Sequence, residues 1–203
     1  DSGAGSGASF SALGSGAGGG PLSNDRKSLE EGQSDDVSQL SSDGKSVSFT
    51  MRGMVGFVRK EGTMAYPSDP LTKKKVVESA PGVWHSDASD KDFSPDEIKW
   101  RYVLSLNIID HTGTQWMTAF DEAGETIIGR SAADMEQLRE TDKGLWQSIL
   151  DDISFRPLVM QVVVKEQMYR EDRRIRYTIN RVQHVDFASE GRMLLKEIQA
   201  YSI

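Results

Sequence analysis

The chain has 203 residues, with 24 Lys and Arg against 31 Asp and Glu (net charge −7), and 37% of it is hydrophobic. That length holds one domain of usual size with chain to spare, and the acidic balance excludes a protein that grips nucleic acid with its whole surface, leaving room only for a local basic stripe. No cysteine is present, which excludes disulfides and thiolate metal sites, and no apolar run reaches the length of a membrane-spanning helix.

Residues 1–20 hold eight glycines among Ala and Ser, and residues 21–44 continue polar and acidic. Residues 1–45 therefore read as a flexible linker; forty residues of such coil reach roughly 35 Å. A domain is expected over 46–187, followed by a terminal helix at 188–203. The domain opens with a half-buried strand in which Val47, Phe49 and Met51 alternate with polar residues as far as Arg59. Gly53 and Gly56 mark a bulge or a sharp bend. An irregular insert at about 60–98 carries Pro67, Pro70, Pro81 and Pro95 around two short apolar pieces.

The clearest strand is Arg101 to Ile109, with Tyr102, Leu104, Leu106 and Ile108 on one face. Asp110 to Thr114 forms a hairpin loop. The returning strand, Gln115 to Phe120, turns Met117 and Ala119 inward and Trp116 and Phe120 outward. Asp121 and Glu122 suit the start of a helix. Ser131 caps a second helical stretch, which Gly144 is expected to interrupt. Two strands then flank a polar turn at Tyr169 to Arg173, and Ala188 to Tyr201 spaces apolar residues at helical intervals. A five-stranded barrel with its helix between the third and fourth strands has this order.

Trp116 and Phe120 face away from the core, and two coverings are open from pattern alone: bases that stack on them, or the insert folded over as a second small core. Tyr169 stands beside Arg170, Arg173 and Arg174 at a loop tip, within a segment (156–192) of net charge +3. An aromatic among arginines suits a phosphate backbone and a stacked base; a solvated hairpin balanced by ion pairs is the plainer reading. Lys73, Lys74 and Lys75, with Arg101, complete the candidate cations. Nothing points to catalysis, because His85, His111 and His184 lie in separate elements and no nucleophile or metalloprotease motif is present.

The strings Phe-Thr-Met-Arg-Gly, Tyr-Pro-Ser-Asp-Pro, Trp-Arg-Tyr-Val-Leu-Ser-Leu-Asn-Ile, Thr-Gln-Trp-Met-Thr-Ala-Phe and Glu-Gly-Arg-Met-Leu-Leu-Lys-Glu-Ile occur in that order. From about Val47 to the C-terminus they resemble the C-terminal domain of the large subunit of replication protein A. The resemblance implies a mainly β, OB-fold barrel whose outer face stacks single-stranded DNA, with Trp116, Phe120 and Tyr169 as the matching aromatics. It implies a nuclear protein of replication, repair and recombination, not an enzyme. It also implies a C-terminal helix, here Phe187, Leu194, Leu195, Ile198 and Tyr201, that joins the middle and small subunits of a heterotrimer. A scaffold that barely touches DNA, or a telomere-dedicated paralogue, are the alternatives. The family domain further carries a zinc ribbon held by two Cys-x-x-Cys pairs. Here those positions match Asp69, Thr72, Ser86 and Ser89, so no zinc or other cofactor is expected.

Overall fold

The expected alternation at 101–109 is realised in a computed structural model that describes residues 22–34, 46–169 and 172–201, with residues 168, 169, 172 and 173 described by their backbone alone. Strand β1 runs Val47–Val58, β2 Ala65–Ser68, β3 Val77–Ala80, β4 Val83–Ser86, β5 Lys91–Phe93, β6 Lys99–Ile109, β7 Thr114–Phe120, β8 Pro157–Tyr169 and β9 Asp172–His184. The helices are α1 (residues 29–34), α2 (Asp121–Ile128), α3 (Ala132–Thr141), α4 (Lys143–Asp152) and α5 (Phe187–Tyr201). Residues 66–101 form one compact unit, and the described residues before and after them form another.

In the larger unit five strands close on themselves. β1 pairs antiparallel with β8 from Val47↔Val164 to Met54↔Pro157 and then exchanges partners, pairing with β6 from Met54↔Ile109 to Val58↔Leu106. β6 pairs with β7, β7 runs parallel to β9, and β9 returns to β8, so every strand of the ring is paired on both sides. Closure removes the edges along which sheets aggregate. Tyr102, Leu104, Leu106, Ile108, Met117, Ala119, Met160, Val162 and Ile179 fill the interior. The register of β1 slips between Val55 and Phe57, so the expected bulge lies at Gly56.

Between β7 and β8 lie the helices. α2 begins with Asp121 and Glu122 in its first turn and has no side-chain cap. Gly124 is required where it is, because a Cβ there would lie 2.6 Å from the Cβ of Tyr102. Tyr102 is fixed from its other end, its hydroxyl donating to the carbonyls of Arg130 and Ser131 at 3.0 Å. Ser131 caps α3 by accepting from the Asp134 N–H. The break expected at Gly144 falls two residues earlier. Asp142 ends α3 and accepts from the Leu145 N–H at 2.9 Å to start α4, and a carboxylate caps better than glycine breaks.

The linker expected to reach residue 45 needs correction over 22–34. Leu22 and Leu29 are buried, Leu29 to 1%. Ser28 and Glu31 form a reciprocal capping box: the Ser28 N–H and hydroxyl donate to Glu31 Oε2 at 2.8 and 2.9 Å, and the Glu31 N–H donates to Ser28 Oγ at 3.2 Å. The N-terminus of α1 is seated on the β6–β7 loop, with the Leu29 N–H donating to Asp110 Oδ2 at 2.8 Å and the Glu30 N–H to Thr112 Oγ1 at 3.2 Å. Gly32 lets this strap approach Phe49, whose ring lies 2.6 Å from where a Cβ would stand. Arg26 and Arg52 both reach the buried Glu190 of α5. An acidic, polar segment hides such a strap because its two buried leucines lie seven residues apart in a run without strong periodicity.

The smaller unit, expected to be irregular, contains an antiparallel meander, β3-β4-β5, whose register runs Val77↔His85 and Trp84↔Phe93. Three- and four-residue strands are too short for periodicity to register.

Candidate nucleic-acid interface

Outside the ring, β1, β6 and β7 bring one row of side chains together. Phe57 and Trp116 both pair in register with Asn107, so the two rings stand on either side of it. Their centroids are 6.1 Å apart at 80°, an edge-to-face contact. Phe57 is 50% exposed and Trp116 42%. The Arg59 guanidinium lies over the Trp116 ring, 4.9 Å from its centroid. Further along the same face, the Arg176 guanidinium of β9 lies 5.3 Å from the centroid of the half-buried Phe120. Burial lowers the Arg176 pKa from its ordinary value. Cation–π contacts hold these guanidinium groups against a surface on which a further planar group can lie.

Phe57, Arg59 and Arg176 are not among the residues singled out from the sequence, and the bulge explains the first. Phe57 shares its parity with the buried Phe49, Met51 and Val55, so strict alternation places it in the core. The extra residue at Gly56 reverses the alternation, turning Phe57 out and Val58 in.

Of the other expected cations, Arg174 is exposed on β9, and Lys73, Lys74 and Lys75 are exposed in the smaller unit. Arg170 and the side chains of Tyr169 and Arg173 lie outside the described residues. Arg101 is a correction: it is buried to 7%, and its Nε donates to Ser68 Oγ at 3.0 Å. A guanidinium so enclosed organises the unit and does not present itself to phosphate. The exposed stripe expected on the terminal helix is present on α5, where Phe187 (68% exposed), Leu194, Leu195, Ile198 and Tyr201 all keep large surfaces open.

The four positions that the resemblance matches to family cysteines converge in the smaller unit. Asp69 Oδ2 accepts from Ser86 Oγ at 2.8 Å and Ser89 Oγ at 2.7 Å, while Oδ1 accepts from the N–H groups of Leu71 (2.7 Å) and Thr72 (3.1 Å). Asp69 and Ser86 are fully buried. Burial alone would raise the Asp69 carboxyl; hydrogen bonds from Ser89, Leu71, Ser86 and Thr72 outweigh it and hold the group well below the usual carboxylate range. His85 beside them is already engaged, with Nδ1 2.8 Å from Asp92 Oδ1 and Nε2 3.7 Å from Asp87 Oδ1. The hydrogen bond to Asp92 raises its pKa.

A closed ring in the order β1-β8-β9-β7-β6, with helices between its third and fourth strands, is an OB-fold. Residues 48–194 match the family model of the replication factor-A C-terminal domain, and the chain belongs to that family. It is 32% identical over 186 residues to the 70 kDa DNA-binding subunit of mouse replication protein A, covering 91% of this chain and 29% of that one. It is 31% identical over 153 residues to the corresponding 70 kDa protein of Xenopus tropicalis, covering 74% and 25%. The chain thus spans less than a third of the length of these relatives. Among solved structures, it superposes on a chain of a replication protein A heterotrimer bound to single-stranded DNA with a TM-score of 0.75 at 28% identity, covering 87% of this chain and 40% of that one. On a chain of the yeast complex bound to single-stranded DNA it gives a TM-score of 0.74 at 25% identity, covering 89% and 99%.

Proposed function

We propose that this domain binds single-stranded DNA with little sequence preference, as one module of a nuclear heterotrimer of the replication protein A type acting in replication, repair and recombination. The observation that carries the reading is the outward row of exposed Phe57 and Trp116 and half-buried Phe120, with Arg59 and Arg176 set against two of the rings. Every base has a π-face, so an aromatic platform flanked by guanidinium groups holds a strand without reading its sequence. Stacking is worth about 1–3 kcal/mol per base, a range general to OB-fold single-strand binders, replication protein A among them. Phosphates are met by Arg59, Arg174 and the β8–β9 hairpin, and α5 offers its apolar stripe to the middle and small subunits. Such a stripe on a fifteen-residue helix needs a covering surface. None of these groups is arranged for bond chemistry, and the module works by binding alone.

Fluorescence anisotropy with a short oligothymidylate at several salt concentrations tests this. Trp116→Ala and Phe57→Ala should each weaken binding by about 1–3 kcal/mol at unchanged melting temperature, and affinity of the parent chain should fall steeply with salt. Unchanged affinity in folded variants would sink the stacking face. It would leave the reading that the exposed stripe of α5 favours by itself, an assembly scaffold with little DNA contact.

A further inference from the structure

The smaller unit has few apolar residues in its interior. Val76 is buried, but so are the polar Ser68, Asp69, Ser86 and Arg101. Such a unit needs some other device to hold it. In the resembling family that device is a zinc ion on four cysteines, and the residues present here do not fit one. Zinc takes thiolate, imidazole or carboxylate ligands, whereas the hydroxyls of Thr72, Ser86 and Ser89 stay protonated at neutral pH. Both oxygens of Asp69 already accept two hydrogen bonds each. A cation placed on them would face hydroxyl and amide protons. The nearby imidazole is committed to Asp92, and among the described residues no group of three His, Asp or Glu is placed to hold a metal.

We propose that Asp69 is the hub of a metal-free clamp, in which its buried carboxylate, bound by the hydroxyls of Ser86 and Ser89 and the N–H groups of Leu71 and Thr72, does the structural work of the missing four-cysteine site. The chemistry is self-consistent. A buried ionised carboxylate is costly unless all its acceptor sites are filled, and here four donors fill them. Charge-assisted hydrogen bonds are about twice as strong as neutral ones. The clamp also spans chain that is distant in sequence: it ties the turn at 69–74, closed by the Asp69 N–H to Lys74 carbonyl and Lys73 N–H to Asp69 carbonyl bonds at 2.9 Å, to β4 and to the turn before β5. One carboxylate thus joins two turns twenty residues apart.

Amide hydrogen exchange on the whole chain, followed by mass spectrometry of peptides from 66–101, tests the clamp alongside elemental analysis. The parent should carry no stoichiometric zinc, and 1,10-phenanthroline should leave protection of the insert unchanged. Ser86→Ala with Ser89→Ala should speed exchange of those peptides roughly tenfold while β6 to β9 stay protected. Should that variant unfold throughout, Ser89→Ala alone, at a half-buried position, gives the same reading. The fourfold variant D69C/T72C/S86C/S89C should take up one zinc and become sensitive to the chelator. One zinc held by the parent, protection lost on chelation, or unaltered exchange in the alanine variants would overturn the clamp. A fourfold cysteine variant that takes no zinc would show that it does not stand at the metal position.

Discussion

The ring and the insert hold themselves together by opposite means. In the ring, Tyr102, Leu104, Leu106, Ile108, Met160 and Val162 exclude water, and the backbone pairs on every side. In the insert the strand β3 is exposed throughout and the interior is a network of hydrogen bonds around Asp69, Ser68 and Arg101. An apolar core is non-directional and tolerates conservative exchange of its members. A polar hub requires each donor to meet its own acceptor, and loses most when one partner is removed and the other stays buried. The same chain therefore contains one region that should yield gradually to mutation and one that should yield abruptly.

Breaking the apolar side should have the largest effect. Leu106→Ala is expected to lower the global unfolding free energy by about 2–5 kcal/mol in a urea titration, because it empties a fully buried position. That position lies on β6 where β1 and β7 pair with it from either side. Leu106→Met should cost under about 1.5 kcal/mol; equal losses from the two would contradict a core governed by volume.

On the polar side, Arg101→Met keeps most of the side-chain bulk and removes the guanidinium. It should destabilise the insert by about 1.5–3 kcal/mol, read from exchange of its amides, since the bond to Ser68 Oγ involves a charged donor. DNA affinity and its dependence on salt should not change. A loss of one unit in the salt slope would restore Arg101 to the phosphate-binding set.

The smallest effect concerns the strap. Ser28→Ala removes one arm of the capping box and should cost about 0.5–2 kcal/mol, seen as faster proteolysis within 22–34. Acid should act at the same place. Burial tends to raise the Asp110 carboxyl, but hydrogen bonds from Thr112, the Leu29 N–H and the Gly113 N–H outweigh it and hold the group below its ordinary value. A depressed folded pKa means that this contribution is complete above about pH 4, the value in the unfolded chain, and is lost as pH falls through the folded one. The share of strap release in acid that Asp110 carries should therefore be lost in Asp110→Asn, which no longer titrates, leaving only what Glu31 and Glu190 contribute.

Much of the ring was legible because its strands alternate. The inward set Tyr102, Leu104, Leu106 and Ile108 and the outward pair Trp116 and Phe120 follow from parity alone. Parity fails at Phe57, where a single extra residue inverts it, and so the aromatic partner of Trp116 was invisible. Arg101 misled for a related reason: residue type suggested phosphate, but only three-dimensional packing shows the guanidinium buried and bonded to Ser68. The clamp was half legible. The resemblance pointed to Asp69, Thr72, Ser86 and Ser89, whose residue types exclude a thiolate site. That one carboxylate would gather the other three positions could not be read from spacing.

The strap also moves the place where the chain comes in. The Leu22 N–H donates to the Gln183 side chain near the end of β9 at 3.1 Å, and Arg26 meets Glu190 in the first turn of α5. Leu22 is thus anchored beside the last strand and the terminal helix, not at the start of β1. Tension applied between Leu22 and the start of α5 would load neighbouring points on one side of the barrel and leave the ring unstretched. Pulled between those two points, the domain would add its bulk but little contour length.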